Sequence, residues 1–271
     1  MLILGKDLNN MAENQKVLFH STIFGPIHSR RLGVSLGINL SPNDGKVCSF
    51  DCIYCEAGYN RQGAGKSGMP DAESVGEQLE RKLKEMKEKG EPLDVITFSG
   101  NGEPTLNPNF PEIMDRVLEL RDKYYPEAKV SVLTNSTRIF TPAVAEALKK
   151  ADNNILKLDS AIEPTMRLID APNEKTFTVE RVVDALKQFA GTGVIQTMFL
   201  RGEHGGIPVD NTTHEEIEAL VKAYKEIRPR EIMIYSIDRS TPEEKLEKVS
   251  AEELEQIAQR LRAEGFTVAT A

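Results

Sequence analysis

The 271-residue sequence predicts an α/β fold built on a parallel sheet. Three observations carry that expectation. Six short apolar runs rich in β-branched or large side chains recur along the chain, helical stretches separate them, and the strand–helix unit repeats at roughly 25–40 residues. Such a repeat is connected by right-handed crossovers between parallel neighbours, with helices covering the sheet.

In chain order, a strand over 32–40 is followed by a helix over 71–89. Charges dominate that helix beyond Val75, so most of its surface is expected to face water. A strand over 95–100 leads to a helix over 109–124, and a strand over 129–135 to a helix over 142–150. Thr141 marks the start of the latter as N-cap, with Pro142 at its first position. A strand over 155–159 precedes a helix over 178–190, and one over 194–200 precedes a helix over 213–225. The sixth strand, 231–237, precedes a helix over 251–264 opened by the capping box of Ser250 and Glu253. Gly, Asn, Asp or Pro bounds each strand.

Six units fit one continuous sheet, and α/β barrels of about 250 residues form single domains. Residues 25–271 are therefore read as one domain, and 1–24 as a short N-terminal appendage with no legible role. The periodicity suits an open doubly wound sheet and a curved partial barrel alike. Both gather ligands at the carboxyl ends of the strands.

Composition narrows the function classes. With 39% hydrophobic and 28% charged residues the chain is an ordinary folded protein. A formal charge of −8 argues against a surface that neutralises duplex nucleic acid, although a local basic mouth could still grip a nucleotide. The start MLILGKDLNN lacks a secretory pattern, and no apolar run approaches membrane-span length, so a cytoplasmic address with no membrane contact is expected. The three cysteines are odd in number and clustered, which in a reducing compartment points to metal or chemistry more than to bridges.

In VCSFDCIYCEAG, Cys48, Cys52 and Cys55 stand at i, i+4 and i+7 directly after the first strand. A short loop with that spacing can wrap three sulfurs around three corners of an iron–sulfur cube, whereas a [4Fe–4S] electron carrier needs four thiolates. The chain has no fourth cysteine, so one iron would be left to take an exogenous ligand. His20 or His28 could instead complete a Cys₃His zinc site, but zinc sites usually pair C-x₂₋₄-C with a distant second pair. Three buried, unliganded cysteines are a third reading.

C-x₃-C-x-aromatic-C, here Cys48, Cys52, Tyr54 and Cys55, resembles the signature of the radical SAM superfamily. The resemblance extends over most of the chain and is sharpest in GPIHSRRLGVSLGINLSP, CSFDCIYC, FSGNGEPTLNP, LKLDS and IDRSTPEE. These strings are similar to a subgroup related to the radical SAM proteins of tRNA wybutosine and molybdenum-cofactor synthesis. The resemblance implies a partial (β/α)₆ barrel, one [4Fe–4S] cluster on Cys48, Cys52 and Cys55, and reductive cleavage of S-adenosylmethionine to a 5′-deoxyadenosyl radical that abstracts hydrogen. It also implies a low-potential flavodoxin- or ferredoxin-type electron donor. The substrate, whether small molecule, nucleotide or protein residue, does not follow. With three cysteines there is no auxiliary cluster, which disfavours the multi-cluster subclasses. An iron–sulfur protein that senses iron or redox state without turnover is the alternative from another class.

By the same resemblance, Tyr54 is expected near the adenine, with packing of the loop as its other role. Gly100, Asn101, Gly102 and Glu103 match the family's GGEP motif, which engages the methionyl amino group; Asn101 stands in place of its first Gly. Small residues let a backbone approach a ligand, and a carboxylate suits an ammonium. Asn135, Lys157, Asp159 and Ser160 fall where ribose and carboxylate contacts are expected. Lys157 and Asp159, two apart on a strand, share a face; an inward pair needs a ligand or full hydrogen bonding, and the other reading is a solvent-facing pair. Gln196, Met198 and Tyr235 could line the cavity.

Arg30, Arg31 and Arg239 belong to the distinctive strings and are candidates for substrate binding, with Arg201 a further member of a cationic rim. GAGKS ends like a nucleotide-binding P-loop, but Asn60 replaces its first Gly and no strand immediately precedes it, so a flexible loop is expected. His204, His214 and the Glu-rich helix after them show no metal-ligand spacing.

Overall fold

The computed structural model describes residues 17–29, 33–239 and 241–270. Arg30 and Arg31, and the appendage up to residue 16, lie outside the described residues. Each of the six expected strands and six expected helices is present, with five further elements that the sequence pattern does not signal. The chain runs β1 (Ile23–Ser29), β2 (Gly33–Ile38), α1 (Ala72–Glu88), β3 (Val95–Phe98), α2 (Phe110–Tyr124) and β4 (Lys129–Thr134). It continues α3 (Pro142–Lys149), β5 (Asn153–Lys157), α4 (Glu163–Asp170), α5 (Val179–Leu186), β6 (Val194–His204) and β7 (Ile207–Asp210). It ends α6 (His214–Ile227), β8 (Glu231–Ser236), β9 (Leu246–Lys248), α7 (Ala251–Ala263) and β10 (Val268–Thr270). The unforeseen elements are β1, α4, β7, β9 and β10.

Local chemistry sets the helix starts. Asp71 caps α1 by accepting from the Ser74 N–H at 2.8 Å, and Ser250 and Glu253 form the expected box at α7. Thr141 stands at the N-cap of α3 with Pro142 following, but its side chain makes no cap bond. In α1 the sparse apolar residues still form one stripe: Val75, Leu79, Leu83 and Met86 are fully buried, each contributing about 1.5–3 kcal/mol relative to exposure. Only the outer face of α1 is left to water.

Seven strands lie side by side in the order β2, β3, β4, β5, β6, β8, β10, each parallel to the next, and β1 pairs antiparallel on the outer edge of β2. The order never reverses. Crossovers of one hand then deposit every helix on the same face, and the sheet curls away from them as a partial barrel. A doubly wound sheet would instead reverse its order and cover both faces, so the two architectures left open by periodicity are separated here. Among the described residues, β1 and β10 end the sheet without meeting. The long β6 also carries β7 and β9 as antiparallel partners on its C-terminal half.

Side-chain alternation divides the interior. Val132, Leu156, Ile195 and Ile232 pack towards the helices in the main core, while Leu133, Ile155, Val194 and Met233 form a separate small cluster on the concave face. Among the described residues no helix is long and apolar enough to cross a membrane.

Candidate active site

Strand register brings the carboxyl ends level. Lys157 lies opposite Gln196, Gln196 opposite Met233, and Met198 opposite Tyr235. Lys157 follows Ile155, and Gln196 and Met198 follow Val194, at steps of two, so they continue the concave face above its apolar layer. A cavity of about 290 Å³ opens there. Lys157, Gln196, Met198 and Tyr235 line it from β5, β6 and β8; Gly100, Gly102, Glu103 and Asn135 line it from the ends of β3 and β4. Cys48, Cys52, Tyr54 and Cys55 line it from the loop after β2, and Val17, Phe19 and Glu56 add to its wall.

The cysteine loop is held from two sides. Val47 bridges Gly102: its N–H donates to the Asn101 carbonyl at 3.0 Å, and the Glu103 N–H donates to the Val47 carbonyl at 3.0 Å. Only glycine fits at 102, where φ is +140° and a Cβ would collide with the Val47 carbonyl. On the other side, the segment ending α4 takes the loop: the Asp51 N–H donates to the Asp170 carbonyl (3.0 Å), Ile53 N–H to the Ile169 carbonyl (3.0 Å), and Asn173 N–H to the Ser49 carbonyl (2.9 Å). The Cys55 N–H turns back on the Cys52 carbonyl at 3.1 Å.

All three cysteines are free thiols facing one cavity. Burial, and then Glu103, pushes the Cys48 thiol up to about 12; burial, and then Asp170, pushes Cys52 well above its ordinary value. Such thiols stay protonated in the absence of a cation, and coordination to a metal would deprotonate them. Among the described residues no three His, Cys, Asp or Glu side chains close on a point where one metal ion could sit. A cube of irons takes each sulfur at a separate corner, and three thiols lining one cavity suit that donor pattern. His20 Nδ1 faces the Asn43 carbonyl at 3.1 Å, and neither His20 nor His28 lines the cavity.

Glu103 is 3% exposed, and its carboxylate is aimed by four donors. Oε1 accepts from the Thr105 N–H (3.0 Å), the Thr105 hydroxyl (2.5 Å) and the Thr134 hydroxyl (2.7 Å); Oε2 accepts from the Asn135 N–H (2.6 Å). Burial raises its pKa, and these bonds pull against the rise. Asn135 also reaches Ser49 Oγ at 2.9 Å and Cys48 Sγ at 3.6 Å. Asn101 turns the other way. Its amide accepts from the Phe19 N–H (2.8 Å) and donates to the Phe19 and Pro42 carbonyls (2.9 Å each), so its side chain is absent from the cavity lining.

Lys157 and Asp159 form an inward pair at 3.1 Å, with side chains 14% and 0% exposed. The solvent-facing reading of this pair is thereby set aside. Tyr54 completes the group, its hydroxyl bonded to Lys157 Nζ and to Asp159 Oδ2, while Asp159 Oδ1 accepts from the Met198 N–H at 2.8 Å. Lys157 and Tyr54 reach the cavity; Asp159 lies behind them. Ser160 is also outside the lining, its hydroxyl donating to Glu216 at 2.6 Å.

Arg239 pairs with Glu56 at 2.7 Å, beside the cavity. Arg201 is directed elsewhere, to Glu253 and Thr212 at 2.8 Å each, so it takes no part in a cationic rim. In the GAGKS loop, the backbone N–H groups of Lys66 and Ser67 donate to the Asp44 carboxylate at 2.8 and 3.1 Å. A carboxylate thus occupies the donors a phosphate would need. His204 sits against Glu243 at 3.3 Å.

Sequence reasoning misses Lys46, Asp170 and the segment 17–19. Lys46 lies buried in the loop, with Nζ donating to the Gly58 carbonyl at 2.7 Å and to Asp51 at 3.4 Å. Burial works against its charge, but Cys55, Cys48, Cys52 and Asp51 outweigh it and its pKa is raised. The one available signal is a lysine standing two residues before the first cysteine.

Residues 43–204 match the family model of the radical SAM superfamily. A GTPase Obg of Brachyspira hyodysenteriae is 30% identical over 252 residues, covering 92% of this chain and 34% of that protein. The chain thus spans about a third of that relative's length. A UPF0026 protein of Synechocystis sp. is 31% identical over 227 residues, covering 81% of this chain and 77% of its own. The fold is shared with Streptococcus suis SuiB in a crystal structure bound to S-adenosylmethionine, at a TM-score of 0.61 and 16% identity, covering 87% of this chain and half of that one (50%).

Proposed function

Since the chain belongs to the radical SAM superfamily and is an enzyme of that class, we propose that Cys48, Cys52 and Cys55 hold one [4Fe–4S] cluster and that the adjoining cavity takes S-adenosylmethionine. One observation carries the reading: the three thiols, Gly100, Gly102, Glu103 and Asn135 all line the same cavity at the carboxyl ends of the strands. A bound cluster would supply the electron that cleaves S-adenosylmethionine reductively to a 5′-deoxyadenosyl radical, which abstracts hydrogen from a substrate.

The chain's own residues do the rest. Glu103, fixed by Thr105, Thr134 and the Asn135 N–H, presents a carboxylate to an ammonium without having to reorganise. Gly102 lets the backbone close on the cysteine loop where any side chain would obstruct it. Tyr54 is held by Lys157 and Asp159, so its ring is a fixed wall for the adenine side of the ligand. Gln196, Met198 and Tyr235 line the same cavity from β6 and β8, and the apolar layer beneath excludes water. Asp159 and Ser160 act through their neighbours, and Asn101 through Phe19. Arg239 joins the proposal as a substrate contact because it flanks Glu56 at the cavity.

A flavodoxin- or ferredoxin-type protein is the proposed electron donor, and a reducing cytoplasmic setting is part of the same proposal. The test is anaerobic reconstitution, determination of iron and sulfide, then reduction with S-adenosylmethionine present. Four irons and four sulfides per chain, as the cluster formula requires, and release of 5′-deoxyadenosine are expected. A full cluster with no cleavage under several reductants would favour a sensor, and a colourless protein containing zinc would end the cluster reading.

A further inference from the structure

We propose that Lys46 is a positioning residue for the cluster, a buried ammonium that ties the two limbs of the cysteine loop together and raises the cluster's reduction potential. The proposal rests on the cluster reading above. Lys46 is 4% exposed, a degree of burial that lysine reaches only when its charge is compensated. Its hydrogen bonds supply little compensation: one goes to the neutral carbonyl of Gly58, the other, at 3.4 Å, to a carboxylate whose side chain is 28% exposed.

The placement explains what the charge faces. Asp51 lies between Cys48 and Cys52, and Gly58 follows Cys55, whose carbonyl accepts the Gly58 N–H at 2.9 Å. Lys46 Nζ therefore joins the limb carrying the first two sulfurs to the limb carrying the third. The ammonium is thus held inside the loop that carries all three sulfurs. A cubane on three thiolates is net negative, and one-electron reduction makes it more so. A fixed positive charge in a poorly solvated loop stabilises the reduced form more than the oxidised one, which moves the potential upward. Asp51 opposes that effect, and it is held in place by the Asn60 N–H at 2.7 Å. Opposite substitutions should then move the potential in opposite directions, which a purely structural brace would not do.

The experiment compares wild-type protein with Lys46→Met and Asp51→Asn. Each is reconstituted anaerobically, assayed for iron and sulfide, and titrated reductively with detection by electron paramagnetic resonance. Lys46→Met is expected to lower the midpoint potential and Asp51→Asn to raise it. Equal midpoints in Lys46→Met and wild type would overturn the proposal even if cluster occupancy fell. If Lys46→Met retains no iron, Asp51→Asn decides, and a midpoint at or below that of wild type overturns it. A wild-type chain that assembles no iron–sulfur cluster would be recognised at the iron and sulfide assay, before any potential is measured, and would defeat the cluster reading itself.

Discussion

The backbone N–H of Asn135, at the end of β4, donates to Oε2 of Glu103, after β3, at 2.6 Å. Glu103→Gln places an amide NH₂ against one of its donors, because a carboxylamide has one acceptor oxygen where four donors converge. A loss of about 1–3 kcal/mol in unfolding free energy is expected. Affinity of the cluster-loaded protein for S-adenosylmethionine, measured by calorimetry, should fall about tenfold or more with the loss of a charge-assisted bond. Unaltered affinity would remove Glu103 from the binding site.

Asp159→Asn keeps the acceptor for Met198 but strips the counter-charge from Lys157. Breaking a buried pair from one side costs about 3–5 kcal/mol, and the slight exposure of Lys157 favours the lower end. Adding Lys157→Met should recover part of that loss, since no unpaired ammonium then remains. Urea denaturation of the two single variants and the double variant gives the coupling; simple additivity would contradict a cooperative pair.

Asn101→Gly restores the more usual family pattern at that position, yet it should be destabilising. It deletes three side-chain hydrogen bonds to Phe19 and Pro42, each worth about 1 kcal/mol net. Hydrogen exchange should show the Phe19 amide freed, while amides of the loop around Cys52 keep their protection. Undiminished protection at Phe19 would mean that the segment is held by something else.

Asp44 titrates low because the backbone N–H groups of Lys66 and Ser67 and the Ser67 hydroxyl hydrogen-bond its carboxylate, which takes its pKa from 3.8 to about 2. A depressed folded-state pKa means that the contribution is complete above the unfolded value and is lost as pH falls through the folded one. Protease cleavage between residues 63 and 68 should therefore accelerate as pH drops from about 4 to about 2. Asp44→Asn should cleave at the faster rate already at neutral pH, and an identical pH profile in the variant would sink the assignment.

The parallel strands and the cysteine loop are legible because their signals are local: β-branched runs, caps, and thiols at fixed spacing. β9 and β10, three residues each, are too short for any period to register, and β1 carries a Gly-Pro step that interrupts its pattern. The barrel, as against an open sheet, depends on strand order, which no local pattern encodes. Cys48, Tyr54, Glu103, Asn135 and Lys157 could be placed from motif and strand end together. Asn101 could not, because the same residue in the same motif could point to either side. Lys46 carries no distinguishing mark until the fold shows it spanning the cysteine loop, from Asp51 to Gly58. The α4 end, which grips Asp51 and Ile53, acts through backbone atoms that every sequence possesses.

Leu133, Ile155, Val194 and Met233 plug the bottom of the barrel. A ligand of the cavity therefore meets no polar partner on that side. Whatever orients it has to come from the loops and strand ends above.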